Sequence, residues 1–313
     1  MRLVSYNVRY FGHGLKGLAS TAGSKQGIAQ ALASLDPLPD VVALQEVETR
    51  SIRSLVAHAA AHDAETQLEA FVRHLDGALD AAKRGARYDA LYFPAHSYRA
   101  GPVVLYTTGL AVLLRRGHVQ RLSDNSRAPH EITFRKSERL RTVKQTRIAA
   151  HVHLEGAHGE RFFLFNTHLS LPTFWAKEFW SQADKMGFGK NQLHEARTLG
   201  EYVRHASHGE PFLVVGDFNS PPSTPVYEHL TRDEGLIGAQ EVLRLIDPLD
   251  RKGFASAGFM NLRMHLDHVF GGNGMSFADM NDTHAFGLKG GRFSGLSDHV
   301  PLLATFDPGR SRR

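Results

Sequence analysis

Cysteine is absent from the 313 residues, which excludes disulfides, thiolate nucleophiles and thiolate-held metals. Such a composition suits a reducing compartment, and the cytoplasm is the expected location. No apolar run is long enough to span a membrane. The opening MRLVSYNVRYF has no extended apolar core before a small-residue cleavage site, so it reads as a first strand and not as a signal peptide. No Gly-x-Ser-x-Gly elbow, Walker loop or His-Glu-x-x-His pair occurs, which removes three common hydrolase signatures. Linker-like and low-complexity stretches are also missing. Residues 1–307 are therefore expected to form one domain, followed by a short basic tail at 308–313.

What is present starts with a hydrophobic content of 42%, enough for a large core. The formal charge of +5 and pI near 9.4 favour anionic partners weakly. Basic residues concentrate at 135–147, where RKSERLRTVKQTR holds six basic residues and one acid. That segment reads either as a solvated hairpin or as a rim that contacts phosphate. Strand-like runs fall at 3–8, 41–45, 88–93, 109–114, 148–154, 162–166, 212–215, 266–270 and 301–306. Helical spacing covers about 51–83, with Leu68, Phe71, Leu75 and Leu79 on one face, and again 191–206. Alternating βα units and adjacent strand pairs predict layered α/β with mixed sheets.

The stretch PFLVVGDFNSPP poses the functional question. An apolar run suited to a buried strand stops on Asp217, with Asn219 two places on. A strand running into an Asx turn explains it as well as a catalytic carboxylate does, and the segment alone does not choose. Similar endings recur: Asn7 in LVSYN, Glu46 in VVALQE, His168 in FFLFNTH, Asp267 in HLDHVF, and Asp298-His299 before the last strand. Ligands of α/β proteins gather where strands end. If the strands share a direction, these groups converge on one pocket.

Asn7, Gln45-Glu46, Thr167-His168, Gly216-Asp217-Phe218-Asn219, Leu266-Asp267-His268 and Ser297-Asp298-His299 occur in the order found in the exonuclease–endonuclease–phosphatase superfamily. The sequence resembles that group from residue 3 to about residue 306. The group includes deoxyribonucleases, abasic-site endonucleases, deadenylases, neutral sphingomyelinases and inositol-polyphosphate phosphatases. The resemblance implies a four-layer α/β/β/α sandwich, two mixed sheets packed face to face with helices outside. It also implies metal-dependent hydrolysis of a phosphate ester.

The chemistry asks for the same residues. Phosphate-ester hydrolysis needs charge neutralised on phosphoryl oxygens and an activated water. Mg²⁺ or Mn²⁺, one or two ions, needs only one or two carboxylates: Glu46 is the main candidate, with Asn7 beside it and Asp298 as a further ligand. Asp217 is expected to accept the water's proton and Asn219 to orient the water or the phosphate. His299 is expected to donate to a phosphoryl oxygen while Asp267 holds its ring, and His168 fills a position near the scissile phosphate where relatives carry His or Tyr.

Substrate signals are weaker. Arg147 closes the basic segment. Tyr98 and Arg99, with His96 in FPAHSYRAG, line the mouth or form a polar turn. The insertion at 171–190 carries Trp175 and Trp180. It reads as a helix tucked against the sandwich, a stacking platform for bases, or an apolar lip for a lipid headgroup. The leading expectation is a phosphodiesterase acting on nucleic acid. A lipid headgroup, a small organic phosphate and phosphomonoesterase activity are the alternatives, and a catalytically inactive binding module is a remote one. No feature points to a protein partner.

Overall fold

The structure, a computed structural model, describes residues 1–11, 21–48, 65–100, 103–134, 145–172, 185–247, 249–250, 253–259 and 262–309. Two mixed sheets dominate it. In the first, strand β1 (Arg2–Asn7) pairs in parallel with β2 (Val41–Glu48). Strands β3 (Tyr88–Ala100) and β4 (Val103–Arg115) extend that side, and β14 (Ser276–Asp279) and β15 (Leu302–Asp307) extend the other. The strand order is β14-β15-β1-β2-β4-β3. In the second sheet β8 (Arg161–His168) and β9 (Phe212–Asp217) run parallel at the centre. They are flanked by β7 (Ile148–Gly156), β5 (Val119–Asp124) and the two-residue β6 (His130–Glu131) on one side. On the other side lie β13 (Asp267–Gly272) and β10 (Ile237–Gly238). Strands β11 (Ala257–Phe259) and β12 (Leu262–Met264) pair only with each other as a small third sheet.

Side chains alternate across a strand, and that alternation sorts the core into three slabs. Leu3, Val41, Ala43, Val112 and Ala304 of the first sheet meet Val152, Leu164, Leu213 and Val215 of the second, between the sheets. Phe162 and Phe306 close this slab edge to face, centroids 5.4 Å apart. The other faces of β1, β2 and β4, through Val4, Tyr6, Leu44 and Leu113, pack on helices α1 (Thr21–Ala33) and α2 (Gln67–Ala81). The outer face of the second sheet, through Phe163, Phe165 and Val214, packs on Ala196, Leu199 and Val203 of α3 (Lys190–Ala206) and on Val226 and Tyr227 of the short α4 (Pro225–Glu228). Each fully buried Leu, Val or Phe contributes roughly 1.5–3 kcal/mol. The four-layer sandwich is thus a consequence of strands that are apolar on both faces. No helix among the described residues is long and apolar enough to cross a membrane.

Several expectations change. The helical stretch expected from about residue 51 is described from Gln67. Thr66 caps it there by accepting from Glu69 N at 3.2 Å, while Glu69 Oε2 accepts from Thr66 N at 2.7 Å. Residues 49–64 lie outside the described residues. FPAHSYRA is no polar turn but the second half of β3, paired to β4 from His96↔Thr108 to Ala100↔Val103. Helix α1 escaped the sequence reading because its small residues carry little periodicity. Gly27 shows their use: a Cβ there would sit 2.7 Å from Leu296 Cδ2, so the glycine lets the helix close on the loop that leads to His299.

A polar bridge fastens the sheets beneath the strand ends. Asn166 of β8 accepts from Gln45 Nε2 of β2 at 2.8 Å and donates through Nδ2 to Leu44 O at 3.0 Å and Ala111 O at 3.2 Å. Buried amides are costly unless paired; Asn166 is paired across the sandwich, while Gln45 Oε1 is buried without a partner.

Candidate active site

Convergence does not require a common strand direction. β1, β2, β8 and β9 deliver Asn7, Glu46, His168 and Asp217 at or near their C-terminal ends. Asp267 opens β13, which runs antiparallel to β9 with Asp267 directly opposite Asp217. The Asp298-His299 segment precedes β15, antiparallel to β1. Glu46, His168, Asp217, Asp298 and His299 line a cleft of about 450 Å³, and Asn7 and Asp267 support them through hydrogen bonds to Asp217 and His299.

Two backbone features aim the carboxylates. Glu46 has φ +55° where the β2–β4 register slips between Leu44 and Val47. A left-handed non-glycine residue costs of order 1–3 kcal/mol and persists where the surroundings enforce it. The bulge turns Glu46 into the cleft. Gly216 has φ +142°, and a Cβ there would lie 2.0 Å from Thr167 O. Only glycine allows β9 to approach β8 so closely just before Asp217.

The side chains form one network. Asn7 Nδ2 donates to Asp217 Oδ2 at 3.0 Å and reaches Glu46 Oε1 at 3.4 Å, while Asn7 Oδ1 accepts from Arg9 N at 3.0 Å. Asp217 Oδ1 accepts from Asn219 N at 2.9 Å. His168 Nε2 lies 3.4 Å from Asp217 Oδ2, 3.3 Å from Asn219 Nδ2 and 3.8 Å from Glu46 Oε1. His299 Nδ1 is 2.8 Å from Asp267 Oδ2, and its Nε2 points toward Asp217 Oδ2 at 3.7 Å. Asp298 is engaged by Arg9 at 2.6 Å. Arg147 lines the cleft beside Glu46 and His168, its Nε 3.3 Å from Ser170 Oγ.

Electrostatics separates the roles these groups can fill. Burial pushes the Asp217 carboxyl up to about 7, against the pull of His299. Burial likewise raises Glu46. On His299 burial acts downward, but the Asp267 and Asp217 carboxylates override it and hold the ring protonated, up to about 10. Burial, helped by the Arg147 cation, holds His168 well below the usual imidazole range. The arrangement therefore places a neutral imidazole and an imidazolium on either side of one buried carboxylate.

Among the described residues, Asp217, Asp267 and His299 put three potential metal-ligand atoms within 4.8 Å of one another. Glu46 and Asp298 line the same cleft, and Asn7 presents Nδ2 to Glu46. The trio's closeness has a simpler origin, because His299 Nδ1 is already hydrogen-bonded to Asp267 and a protonated ring is no ligand. Tyr98 and Arg99 lie in β3, but their side chains are outside the described residues, as are the whole of Trp175 and the basic residues at 135–144.

The endonuclease/exonuclease/phosphatase family matches residues 4–299. The chain belongs to this family. Enzymes of the endonuclease/exonuclease/phosphatase family hydrolyse phosphoesters. Solved structures with the same fold include the catalytic domain of human Nocturnin, 20% identical with a TM-score of 0.59, covering 98% of this chain and 94% of that one. ANGEL2, a 2′,3′-cyclic phosphatase, is 15% identical with a TM-score of 0.61 over 97% and 94%. A mannosyl-6-phosphatase of Bacteroides thetaiotaomicron is 15% identical with a TM-score of 0.58 over 98% and 99%. No curated protein matches the chain.

Sequence reasoning missed the second layer of this family member's site. Ser256 Oγ donates to Asp267 Oδ2 at 2.7 Å and accepts from Leu266 N and Asp267 N at 2.9 Å each. Gln192 Nε2 donates to Asn219 O at 2.8 Å. Arg9 reaches Asp298 through a run of left-handed residues at Arg9, Tyr10 and Phe11. None carries a local sequence signal, because each matters only through a contact made far along the chain.

Behind Asp267, His268 stacks on His265 with centroids 4.6 Å apart, and His268 Nε2 donates to Ser220 O at 2.7 Å. Burial holds His268 down to about 4 and His265 well below the usual range. Unfolded histidine takes its proton near 6.5. The stability from keeping His268 neutral is therefore complete above pH 6.5 and is lost as pH falls through about 4. The loss amounts to roughly 3 kcal/mol. Thermal melts between pH 7.5 and 4 are expected to show a shallower decline in His268→Gln. An unchanged slope would remove His268 from the account.

Proposed function

We propose that this protein is a Mg²⁺- or Mn²⁺-dependent phosphodiesterase, with residues 1–307 acting as one catalytic domain in the cytoplasm. The observation that carries the reading is that Asn7 Nδ2 reaches both Glu46 and Asp217, joining the cation-binding carboxylate to the proton acceptor through one amide. Glu46 fits a hard divalent ion. Its carboxylate is raised by burial, meets a single long hydrogen bond from Asn7 among the bonds described, and faces a pocket of oxygen donors. Asn7 Oδ1 now accepts from Arg9 N, so it would become a second donor only by turning its amide, and Asp298 would join by sharing its carboxylate with Arg9. When bound, the ion neutralises charge on the phosphate.

The chain's own groups do the rest. Asp217 takes a proton from water, whose oxygen bonds to phosphorus as the ester P–O bond breaks and the leaving oxygen departs with its electron pair. Asn219, fixed by Leu169 O at 2.9 Å and by Gln192, orients the water or the phosphate. His299 donates from Nε2 to a phosphoryl oxygen while Asp267, itself clamped by Ser256, fixes the ring. Neutral His168 and Arg147 face the same phosphate.

A diester is favoured over a monoester by charge. Among the described residues lining the cleft the arginines are Arg9 and Arg147, no lysine is present, and Arg9 is paired with Asp298. A singly charged diester suits that balance better than a dianion. Nucleic acid leads as substrate on the chain's basic charge, with a small organic diester next. The mannosyl-6-phosphatase neighbour is what supports the monoester alternative.

Excess chelator is expected to abolish hydrolysis of bis(p-nitrophenyl) phosphate, single-stranded DNA or RNA, and Mg²⁺ or Mn²⁺ to restore it. Glu46→Gln is expected to lower kcat/KM at least about a hundredfold and to weaken Mn²⁺ binding in calorimetry. Full turnover in chelator would sink the metal requirement; full Mn²⁺ affinity in the variant would sink Glu46 as a ligand.

A further inference from the structure

Strands β11 and β12 belong to neither large sheet, yet they are fastened to the site on both sides. Ala257 bridges to His299, Gly258 N donates to Asp298 O at 2.9 Å, and Val300 N donates to Ser256 O at 2.8 Å. On the far side Arg263 lies over Phe286, 4.9 Å from the ring centroid. A Cβ on Gly258 would lie 2.2 Å from that same ring, so the hairpin rests on Phe286 at close quarters.

This hairpin contributes a fourth apolar cluster, separate from the three slabs of the core. Met186, Ala257 and Leu266 are buried together, with Met264 packed against them. The cluster does not close on itself. Together with Leu171 and Leu262, 49% and 48% exposed, its residues line the cleft that holds Glu46, Asp217 and His299. Arg9, Gln145 and Arg147 line the same cleft. A pocket of about 450 Å³ with apolar lining residues and a few convergent polar groups has the make-up of a small-ligand site.

We propose that the β11–β12 hairpin is the specificity element, and that its apolar wall takes an uncharged, apolar group carried by one of the two alcohols of the phosphodiester. The inference rests on the phosphodiesterase reading for the phosphate end of the cleft, and it moves a small or lipid-headgroup diester ahead of nucleic acid as the substrate. The cleft offers two kinds of lining. The anion is met by Arg147 and His299, whereas Leu171, Met186, Leu262, Met264 and Leu266 offer no partner to a sugar hydroxyl or a second charge. A polar substituent placed there would lose its hydration without replacement. An apolar one releases water from two exposed leucines. The hairpin is pre-organised for this, since the hydrogen bonds that hold it also hold the 297–300 segment. The wall and the phosphate site therefore keep a constant spacing.

The test uses two singly charged, non-hydrolysed ligands, methyl phenylphosphonate and methyl methylphosphonate, titrated calorimetrically into the Mn²⁺-loaded protein. The phenyl compound is expected to bind on the order of ten- to a hundredfold more tightly, as for one apolar group in a fitted pocket. Leu171→Asn/Leu262→Asn should bring the ratio toward one, and volume-conserving Leu262→Met should keep it. Equal affinities in the wild type, or a ratio unchanged in the double variant, would overturn the proposal. Hydrolysis of bis(p-nitrophenyl) phosphate is followed in parallel. A phenyl preference without hydrolysis strikes the phosphodiesterase reading and leaves the wall standing; hydrolysis without a preference does the reverse. Methyl hexylphosphonate is expected to share the preference shown by the phenyl compound; tighter binding of thymidine 5′-(methyl phosphate), which carries a sugar hydroxyl, would count against the proposal.

Discussion

Asp217→Asn is expected to lower kcat by roughly 10²–10⁴-fold, the range for removing a positioned general base. The substitution keeps the shape of the side chain and its capacity to accept from Asn219 N, now made at 2.9 Å. It removes the one property that the rest of the network is arranged around, a carboxylate able to gain a proton. Burial already pushes that carboxyl up to about 7, close to the pH at which a base is most effective. Glu46 keeps its place in the variant, so Mn²⁺ affinity measured by calorimetry should change little while turnover collapses. That split separates a base from a metal ligand. If kcat stays within tenfold of wild type, the proton goes elsewhere. If Mn²⁺ affinity falls with turnover, Asp217 belongs to the metal set that the Asp217, Asp267 and His299 grouping suggests.

His299→Ala is expected to cost about 10²–10³-fold in kcat, as for a single donor to developing oxyanion charge. Asp267→Asn should cost less alone, and the double variant little more than His299→Ala. Residues that act as one unit are not additive, and these two share a 2.8 Å hydrogen bond between buried groups. Asp267 holds the ring protonated and turns Nε2 toward the cleft. Once the ring is gone, the carboxylate has no catalytic task. Ser256 predicts its own place in the cycle. Its hydroxyl occupies the same Asp267 oxygen as His299, so Ser256→Ala should resemble a mild Asp267→Asn and add little to it. Independent, multiplicative losses across Asp267 and His299 would dissolve the pair into two separate contributors.

The fold and the ends of its strands were legible in the sequence for a common reason. A strand apolar on both faces can be placed only between two layers, so the runs in VVALQ, FFLFN and FLVVG imply layered α/β before any contact is known, and the resemblance to the family implied the sandwich. A carboxylate, amide or imidazole where such a run stops must either reach water or find a partner. That is why Asn7, Glu46, His168, Asp217, Asp267 and His299 stood out one by one. Their order along the chain carried the family. The 2.8 Å approach of His299 to Asp267 was foreseeable on the same logic, since a buried aspartate needs a cationic partner.

Tertiary structure alone decided how these ends meet. The sequence reading made convergence conditional on strands sharing a direction, whereas β13 runs against β9 and sets Asp267 opposite Asp217 by register. Nor could it show that Arg9 occupies Asp298, that Ser256 clamps Asp267, or that Gln45 and Asn166 tie the two sheets together under Glu46. Each of these contacts joins residues brought together by packing, and neither partner's local pattern differs from that of an ordinary turn or strand residue. The β11–β12 hairpin is the clearest case. Its short strands carry no strong alternation, and its apolar residues look like leftovers of the core. Only the folded chain shows that they face the cleft. Periodicity records which side of a strand is apolar, but what lies on that side depends on where the rest of the chain has packed.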